Sequence, residues 1–551
     1  MGEHSSFFKY FTQTALFLLL GFCVSFLCHA QEPAVVYKLP FPDGDARYFY
    51  YDNNFLHIGN YPDRAMYKIT SSNECEKILD VAGWAANDAA MFQGKIVFCS
   101  RDRILYKEQD KVKTVSIAGA RDLSSITASG KNLFLLDKND EGKPSQILIL
   151  DRNLSVKKKL DCPLRNPLDL YWHEENLWIY DQADKCVYRL DILTQKLTAR
   201  ILAPVGNSWS RGIVFIEDQL YVHDRPTASL VPIMWKQEGR AFYSSFEETF
   251  FTFVNASKNN SSTETTKAEF RVPFPANTPD IAVSSLQWNR KPDEIIDDRF
   301  GQKLASFRNI SILPGDEHIL SYNATIQHSA VQYLLDEVAL DSLDKIPGEI
   351  KELYLGNDTY IQTMDPVLVD YAKKARVDSL GREPAGVKSL IENLVHYITD
   401  RLSYIDDDKW ESAAVVIANQ TGSCSEYSFL FSTLARINNI PTRLAGGVQT
   451  NGAFHRWTEV YYPGTGWVPV DVTKIDSSTR ESYDYEYLFG KSGHEIILSR
   501  IGSPDDSLLG ANYFIYRNYS GGKRERTTKV EIKSTRPVSP VKERIIHVPG
   551  G

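Results

Sequence analysis

Short apolar runs separated by polar turns recur along the first 235 residues. Phe55-Leu56-His57-Ile58, Lys95-Ile96-Val97-Phe98, Leu133-Phe134-Leu135-Leu136, Leu177-Trp178-Ile179-Tyr180 and Leu220-Tyr221-Val222-His223 each have the length and composition of a strand. Leu56, Ile96, Leu133, Leu177 and Leu220 hold equivalent places at intervals of 40, 37, 44 and 43 residues. Turn residues such as Asp52-Asn53-Asn54, Gln93-Gly94 and Glu174-Glu175-Asn176 precede them. Second strands such as Ile104-Leu105-Tyr106, Ile147-Leu148-Ile149-Leu150 and Val187-Tyr188-Arg189-Leu190 follow. A period near forty with several short strands per unit predicts a β-propeller of about five blades, or six, and the regular interval disfavours an irregular β-sandwich. Such a scaffold suits binding of a protein or glycan, and no active-site constellation falls within it.

Beyond residue 238 the alternation lengthens. Thr249 to Val254, Phe270 to Phe274 and His318 to Tyr322 read as longer alternating strands, with the polar stretch Asn255 to Thr266 as a mobile loop. Helical segments follow from 331 to 385. Val387, Leu390, Ile391, Leu394, Val395, Ile398 and Leu402 then keep the spacing of a helix from Gly386 to Leu402. A second helix spans Ser425 to Ile437, with Phe429, Leu430, Thr433, Leu434 and Ile437 on one face, and Asn438-Asn439-Ile440-Pro441 ends it. Arg443 to Val448, Trp457 to Tyr462 and Trp467 to Val472 read as strands. The last fifteen or so residues, with Pro537, Pro540 and Pro549-Gly550-Gly551, read as a loose tail.

The chemistry concentrates in this last third. Cys424 is the only cysteine in the last 365 residues, His455 follows it by 31 residues, and Asp471 lies in Trp467-Val468-Pro469-Val470-Asp471-Val472-Thr473. Gly422 and Ser423 are loop and N-cap types, so Cys424 falls at a helix N-terminus, where unpaired N–H groups favour a thiolate and can hold an oxyanion. Strand parity adds a test. Asp471 shares the face of His455, Trp457, Glu459 and Tyr461 only if the hairpin about Pro463 turns through an odd number of residues, so a three- or five-residue loop is predicted. Asp471 would then accept from one imidazole nitrogen while the other faces Cys424. Gln420, four residues before the cysteine, is a further oxyanion candidate. Glu426 reads as a first-turn carboxylate, Trp457, Trp467 and Tyr461 as packing groups, and His396, off its helix's apolar stripe, as solvated. His494 is a weaker alternative base.

The stretches TGSCSEYSFLFSTLARINNIPTRLAGG and HRWTEVYYPGTGWVPVDVT, with the upstream text back to Tyr404 and the Gly386 helix, resemble the transglutaminase-like superfamily of bacterial secreted proteins over roughly residues 365 to 500. The resemblance implies a papain-like helix packed on an antiparallel sheet, with Cys424 as nucleophile, His455 as general base and then acid, and Asp471 orienting the imidazole. The family's proline after the aspartate is Val472 here. The strands after 238 look like the β-sandwich that often precedes this core. The chemistry implied is amide acyl transfer through a thioester. Hydrolysis by a peptidase or deamidase is favoured over protein crosslinking, and a silent, non-catalytic core serving a binding protein is the remaining alternative. No cofactor or metal is called for.

The amino terminus bears on compartment. Lys9 precedes the apolar run Ala15 to Phe22, and Cys28-His29-Ala30 supplies small residues before a cut ahead of Gln31, the pattern of a cleaved signal peptide. Export to the periplasm or medium is expected, with no membrane span after cleavage. Lipid anchoring through Cys28 is the alternative, which the bulky Leu27 disfavours. Cys75 and Cys99, like Cys162 and Cys186, stand 24 residues apart, which invites disulfides without fixing the pairing. A net charge of −8 argues against a nucleic-acid partner, and 551 residues are too many for one core. The expected layout is a leader at 1–30, a propeller-like domain at 31–235, a sandwich at 236–335, a transglutaminase-like core with helical lead-in at 336–515, and a partly loose extension at 516–551. The expected partners are a protein or peptide substrate and a protein or glycan held by the propeller.

Overall fold

The computed structural model describes residues 34–41, 46–60, 64–81, 83–138, 144–205, 210, 212–406, 409–475, 485–539 and 541–547. The expected leader, with Cys23 and Cys28, lies outside the described residues, as do Pro540 and residues 548–551. No helix among the described residues is long and apolar enough to cross a membrane.

The apolar runs of the first 235 residues become five small antiparallel sheets. Four are simple meanders of four strands, spanning Ala46–Asp80, Asp88–Ser116, Leu123–Asp161 and Pro167–Leu202. The fifth joins Ile213–Ile216, Gln219–Asp224 and Ser229–Pro232 to Ala34–Lys38, a strand from the chain's beginning. Leu56, Ile96, Leu133, Leu177 and Leu220 all lie in the second strand of their sheets. Tight turns set the hairpins: Asn53-Asn54, Gln93-Gly94 and Glu174-Glu175 all adopt positive φ, the geometry whose twist matches paired strands. The first strands of the sheets touch in succession, and Ile213–Ile216 touches both Pro167–His173 and Ala46–Asp52, so the contacts form a closed ring. Buried polar groups tie neighbouring sheets. Ser125 Oγ lies 2.8 Å from Asp88 Oδ2 and 2.7 Å from Asp169 Oδ1, while Asp169 Oδ2 accepts from Ile213 N at 2.8 Å. This strand-rich region is consistent with the propeller expectation.

The disulfide expectation is corrected. Cys75, Cys99, Cys162 and Cys186 are all free. Each is buried in a different apolar cluster, where it serves as a small hydrophobe and burial raises its thiol pKa, to about 11 for Cys75 and about 12 for Cys162.

Residues 241–333 supply two more sheets. In one, the long strands Ala241–Asn259 and Glu317–Tyr333 pair with each other, with Ile281–Trp288 beyond; in the other, Thr266–Pro273 pairs with Lys303–Ile312. Phe251, Phe253, Phe270, Phe307 and Tyr322 meet in one core between them. Two expectations fail here. Asn255, Ser257 and Asn259 are not in a mobile loop but are buried within the first long strand, where Asn255 Oδ1 accepts from Arg517 and Asn259 donates to Ile312 O, so partners distant in sequence satisfy these polar groups. The described part of the tail, residues 537–539 and 541–547, is not loose either. Arg524–Pro537 pairs along Ala241–Asn259, and Val541–Ile545 adds in parallel to Ala34–Lys38, because both upstream strands offer an edge with unpaired backbone groups.

The remaining sheet has the order Gly466–Val470, Phe454–Tyr462, Thr442–Gln449, Glu495–Ile501, all antiparallel. The Cys424–Ile437 helix packs across its middle strands, and the helices Pro366–Arg376, Val387–Thr399 and Ala413–Asn419 pack on that helix in turn. Tyr427, Leu430, Phe431, Leu434, Val395, Ile398, Val460 and Val468 form the shared core. Trp457, on the sheet's other face, joins the cluster of the neighbouring sheets.

Candidate active site

Cys424 is the first residue of its helix. Ser423 is the N-cap, its side chain accepting from Ser425 N, while Glu426 reaches back to accept from Ser423 N at 2.9 Å. This capping box satisfies donors the first turn leaves open and holds the cysteine at the helix mouth. Glu426 is therefore more than a dipole-matched surface group: it is buried and also accepts from Glu411 N at 3.1 Å. Gly422 is needed for this closeness, since a Cβ there would lie 2.5 Å from Glu426 Cβ. Thr421–Gly422 also bridges Ser403–Tyr404 in parallel, bringing Tyr404 alongside. Cys424 itself is half-buried.

His455 and Asp471 come from one hairpin. Tyr462 pairs with Gly466 and Thr458 with Val470, leaving a loop of residues 463–465. The odd loop puts Asp471, just beyond its strand, on the face of His455. Asp471 Oδ2 accepts from His455 Nε2 at 2.6 Å, which leaves Nδ1 as the ring nitrogen available to Cys424. Asp471 Oδ1 accepts from Lys474 N at 3.4 Å, and Asp471 N donates to Tyr487 O at 3.1 Å, so the carboxylate is fixed by its own backbone and the next helical turn. Trp457 stacks beside the imidazole with ring centroids 5.8 Å apart.

The electrostatics follow from burial and pairing. His455 is 7% exposed and Asp471 4%. Burial alone would push the imidazole pKa down, but the charge and hydrogen bond of Asp471, with a side-chain interaction from Cys424, raise it to about 10. Burial likewise opposes the Asp471 carboxylate, yet His455 and Lys474 hold it below its ordinary value. The arrangement sets an imidazole that favours its protonated form beside the Cys424 sulfur, a pairing chemically suited to thiol attack on a carbonyl and protonation of a leaving amine.

The other candidates lie elsewhere or serve other ends. Gln420 has φ 57°, a left-handed helix cap whose N donates to Val416 O and whose carbonyl accepts from Ser403 N; its side chain is exposed, without a hydrogen bond among the described residues. His396 is half-buried rather than solvated, edge-on to Tyr485, because that ring covers the helix's polar side. His494 Nδ1 lies 3.2 Å from Thr450 Oγ1 and lines a separate cavity of 470 Å³. Among the described residues, His173, Glu174 and Asp218 could bring ligand atoms within 4.8 Å of one another, with the two carboxylates exposed. Three neighbours of Cys424 escape a reading of the sequence. Tyr404 and Tyr513 both have hydroxyl pKa values raised by burial and next by Cys424. Arg456 is buried, with its guanidinium 4.4 Å from the Tyr513 ring centroid and its Nη2 donating to Ala511 O at 2.5 Å. Arg456 stands in plain view between His455 and Trp457, but Tyr513 is separated from Cys424 by 89 positions and carries no local signal.

Residues 375–472 match the family model of the transglutaminase-like superfamily. The chain carries a transglutaminase-like domain. The match ends one residue past Asp471 and takes in the cysteine helix and the hairpin. A search of curated proteins gave no match. Among solved structures, a candidate cysteine protease from Cytophaga hutchinsonii is similar at 17% identity, covering 55% of this chain and 96% of its own, with a TM-score of 0.39. A streptogramin B lyase is similar at 14% identity over 39% of this chain and 71% of its own, TM-score 0.26. Myxococcus xanthus glutaminyl cyclase is similar at 10% identity over 36% and 97%, TM-score 0.28.

Proposed function

We propose that this chain is an exported cysteine enzyme that cleaves peptide or glutamine amide bonds through a thioester, with Cys424 as nucleophile, His455 as general base and acid, and Asp471 as its orienting carboxylate. The observation that carries the reading is the imidazole held at 2.6 Å by a buried Asp471 while its other nitrogen serves a cysteine at a capped helix start. Attack by sulfur forms the tetrahedral adduct, imidazolium protonates the departing nitrogen, and water activated by the same ring releases the acid. The backbone N–H of Cys424, which the capping box does not engage, is the donor for the oxyanion. The ring of contacts among the five N-terminal sheets supports a five-bladed propeller, with the sandwich between it and the core, and we assign the propeller the role of holding a macromolecular substrate.

The test is thiol alkylation near neutral pH followed by mass spectrometry. Cys424 should react rapidly, and His455→Ala should lose that speed; equal slow reaction in both proteins would mark a scaffold thiol. Incubation of exported proteins with a labelled amine then separates the two acceptors. Cleavage or deamidation without amine incorporation supports hydrolysis, whereas incorporation identifies a crosslinking transglutaminase.

A further inference from the structure

A polar cavity of 360 Å³ lies between the sheet that carries His455 and the sheet of Ala241–Asn259 and Glu317–Tyr333. Its walls bring Arg443, Arg500 and Lys491 against Glu459 and Asp280, three cations facing two carboxylates. Lys491 Nζ is spent: it lies 3.2 Å from Asp280 Oδ2 and donates to Ser329 O at 3.1 Å and Glu495 O at 3.2 Å. That pair is neutral. Both guanidinium groups then share the single carboxylate of Glu459, Arg443 through Nε at 2.6 Å and Arg500 through Nε at 3.0 Å. The two arginine side chains are 18% and 23% exposed, and the Trp467 ring stands 4.4 Å from the Arg443 guanidinium. Glu459 and Asp280 are both held below their ordinary values by these cations, although burial opposes it, so both remain ionised and the excess positive charge is real.

A partly enclosed cationic charge without a counter-charge is unfavourable, and a planar guanidinium pair fits the oxygens of one anion. We propose that this cavity binds a small oxyanion, a carboxylate or a phosphate, between Arg443 and Arg500. The site is distinct from the nucleophile: Glu459 stands four residues along the strand from His455, about 13 Å at the rise of an extended chain.

The experiment is titration calorimetry of the full chain with inorganic phosphate and, separately, acetate, at an ionic strength held constant with chloride. Saturable one-site binding is expected, and the tighter anion names the ligand class. Arg500→Gln, which leaves Glu459 paired to Arg443, should weaken binding at least tenfold. Glu459→Gln removes the competing carboxylate and should tighten it several-fold, a change that mere destabilisation would not produce. No saturable binding of either anion, or equal affinity in all three proteins, overturns the proposal. If Arg500→Gln does not fold, Glu459→Gln decides alone, and unchanged or weaker affinity in it overturns the proposal equally.

Discussion

At the residue scale, the pair His455 and Asp471 sets a definite pH dependence. The folded imidazole pKa is raised to about 10 from an ordinary 6.5, so the stabilisation it brings is full below 6.5 and is lost as pH rises toward 10. The Asp471 value is lowered from 3.8, so its share is present above that pH and lost in stronger acid. Asp471→Asn should therefore melt below the wild type by the widest margin at about pH 5.5, with the gap narrowing toward pH 10. Thermal melts across that range check it; a gap that widens with pH would mean the imidazole is neutral. The same substitution should lower the catalytic rate by roughly a hundredfold or more, since a neutral partner stabilises no imidazolium, and Cys424→Ser should lower it further.

Elements, rather than single residues, aim these groups. Ser423 and Glu426 form the capping box that starts the cysteine helix, and Ser423→Ala should cost about 1 kcal/mol in denaturant unfolding, in the range for a lost N-cap. The hairpin is more demanding. Its three-residue loop, with Gly464 at φ 74°, gives the odd count that puts Asp471 on the imidazole's face. One residue inserted after Gly464 should turn Asp471 to the opposite face and lower activity as much as Asp471→Asn does, with far-ultraviolet circular dichroism unchanged. The helix start and the loop parity are both legible in the sequence, because capping and strand alternation are local rules. The same rules misread the four buried cysteines, whose equal 24-residue spacings do not reflect pairing, and the last strand, whose polar residues 541–545 look solvated in isolation.

On the scale of the whole molecule, the N-terminal sheets are anchored to the core through Arg200. From Lys196–Leu202 its guanidinium donates to Leu488 O and Tyr485 O, each at 3.0 Å, and it stands 3.7 Å from Asp184. Arg200 is buried, so Arg200→Ala removes its bonds to Leu488 O and Tyr485 O and a cation beside Asp184, and should cost about 3 kcal/mol. Calorimetry should then resolve separate transitions for the sheets and the core, where the wild type gives closer ones; a single unshifted transition would mean that this contact does not couple them. A chain begun near residue 236 would lose this anchor along with Ala34–Lys38, the partner of Val541–Ile545.

The candidate cysteine, histidine and aspartate, the order of the elements around them and the repeat of strands upstream were all legible in the sequence itself, since helical period, strand alternation, caps and turns act within a dozen residues. Only the tertiary structure decided which distant groups complete the site and close the fold. Tyr513 and Arg456 come together beside Cys424, Glu459 collects Arg443 and Arg500 around one cavity, and the last strand returns to pair with the first described one. Contacts of that kind join residues as far apart as the two ends of the chain, and no local preference carries their pairing, which is set by which buried charges and open strand edges find each other when the sheets pack.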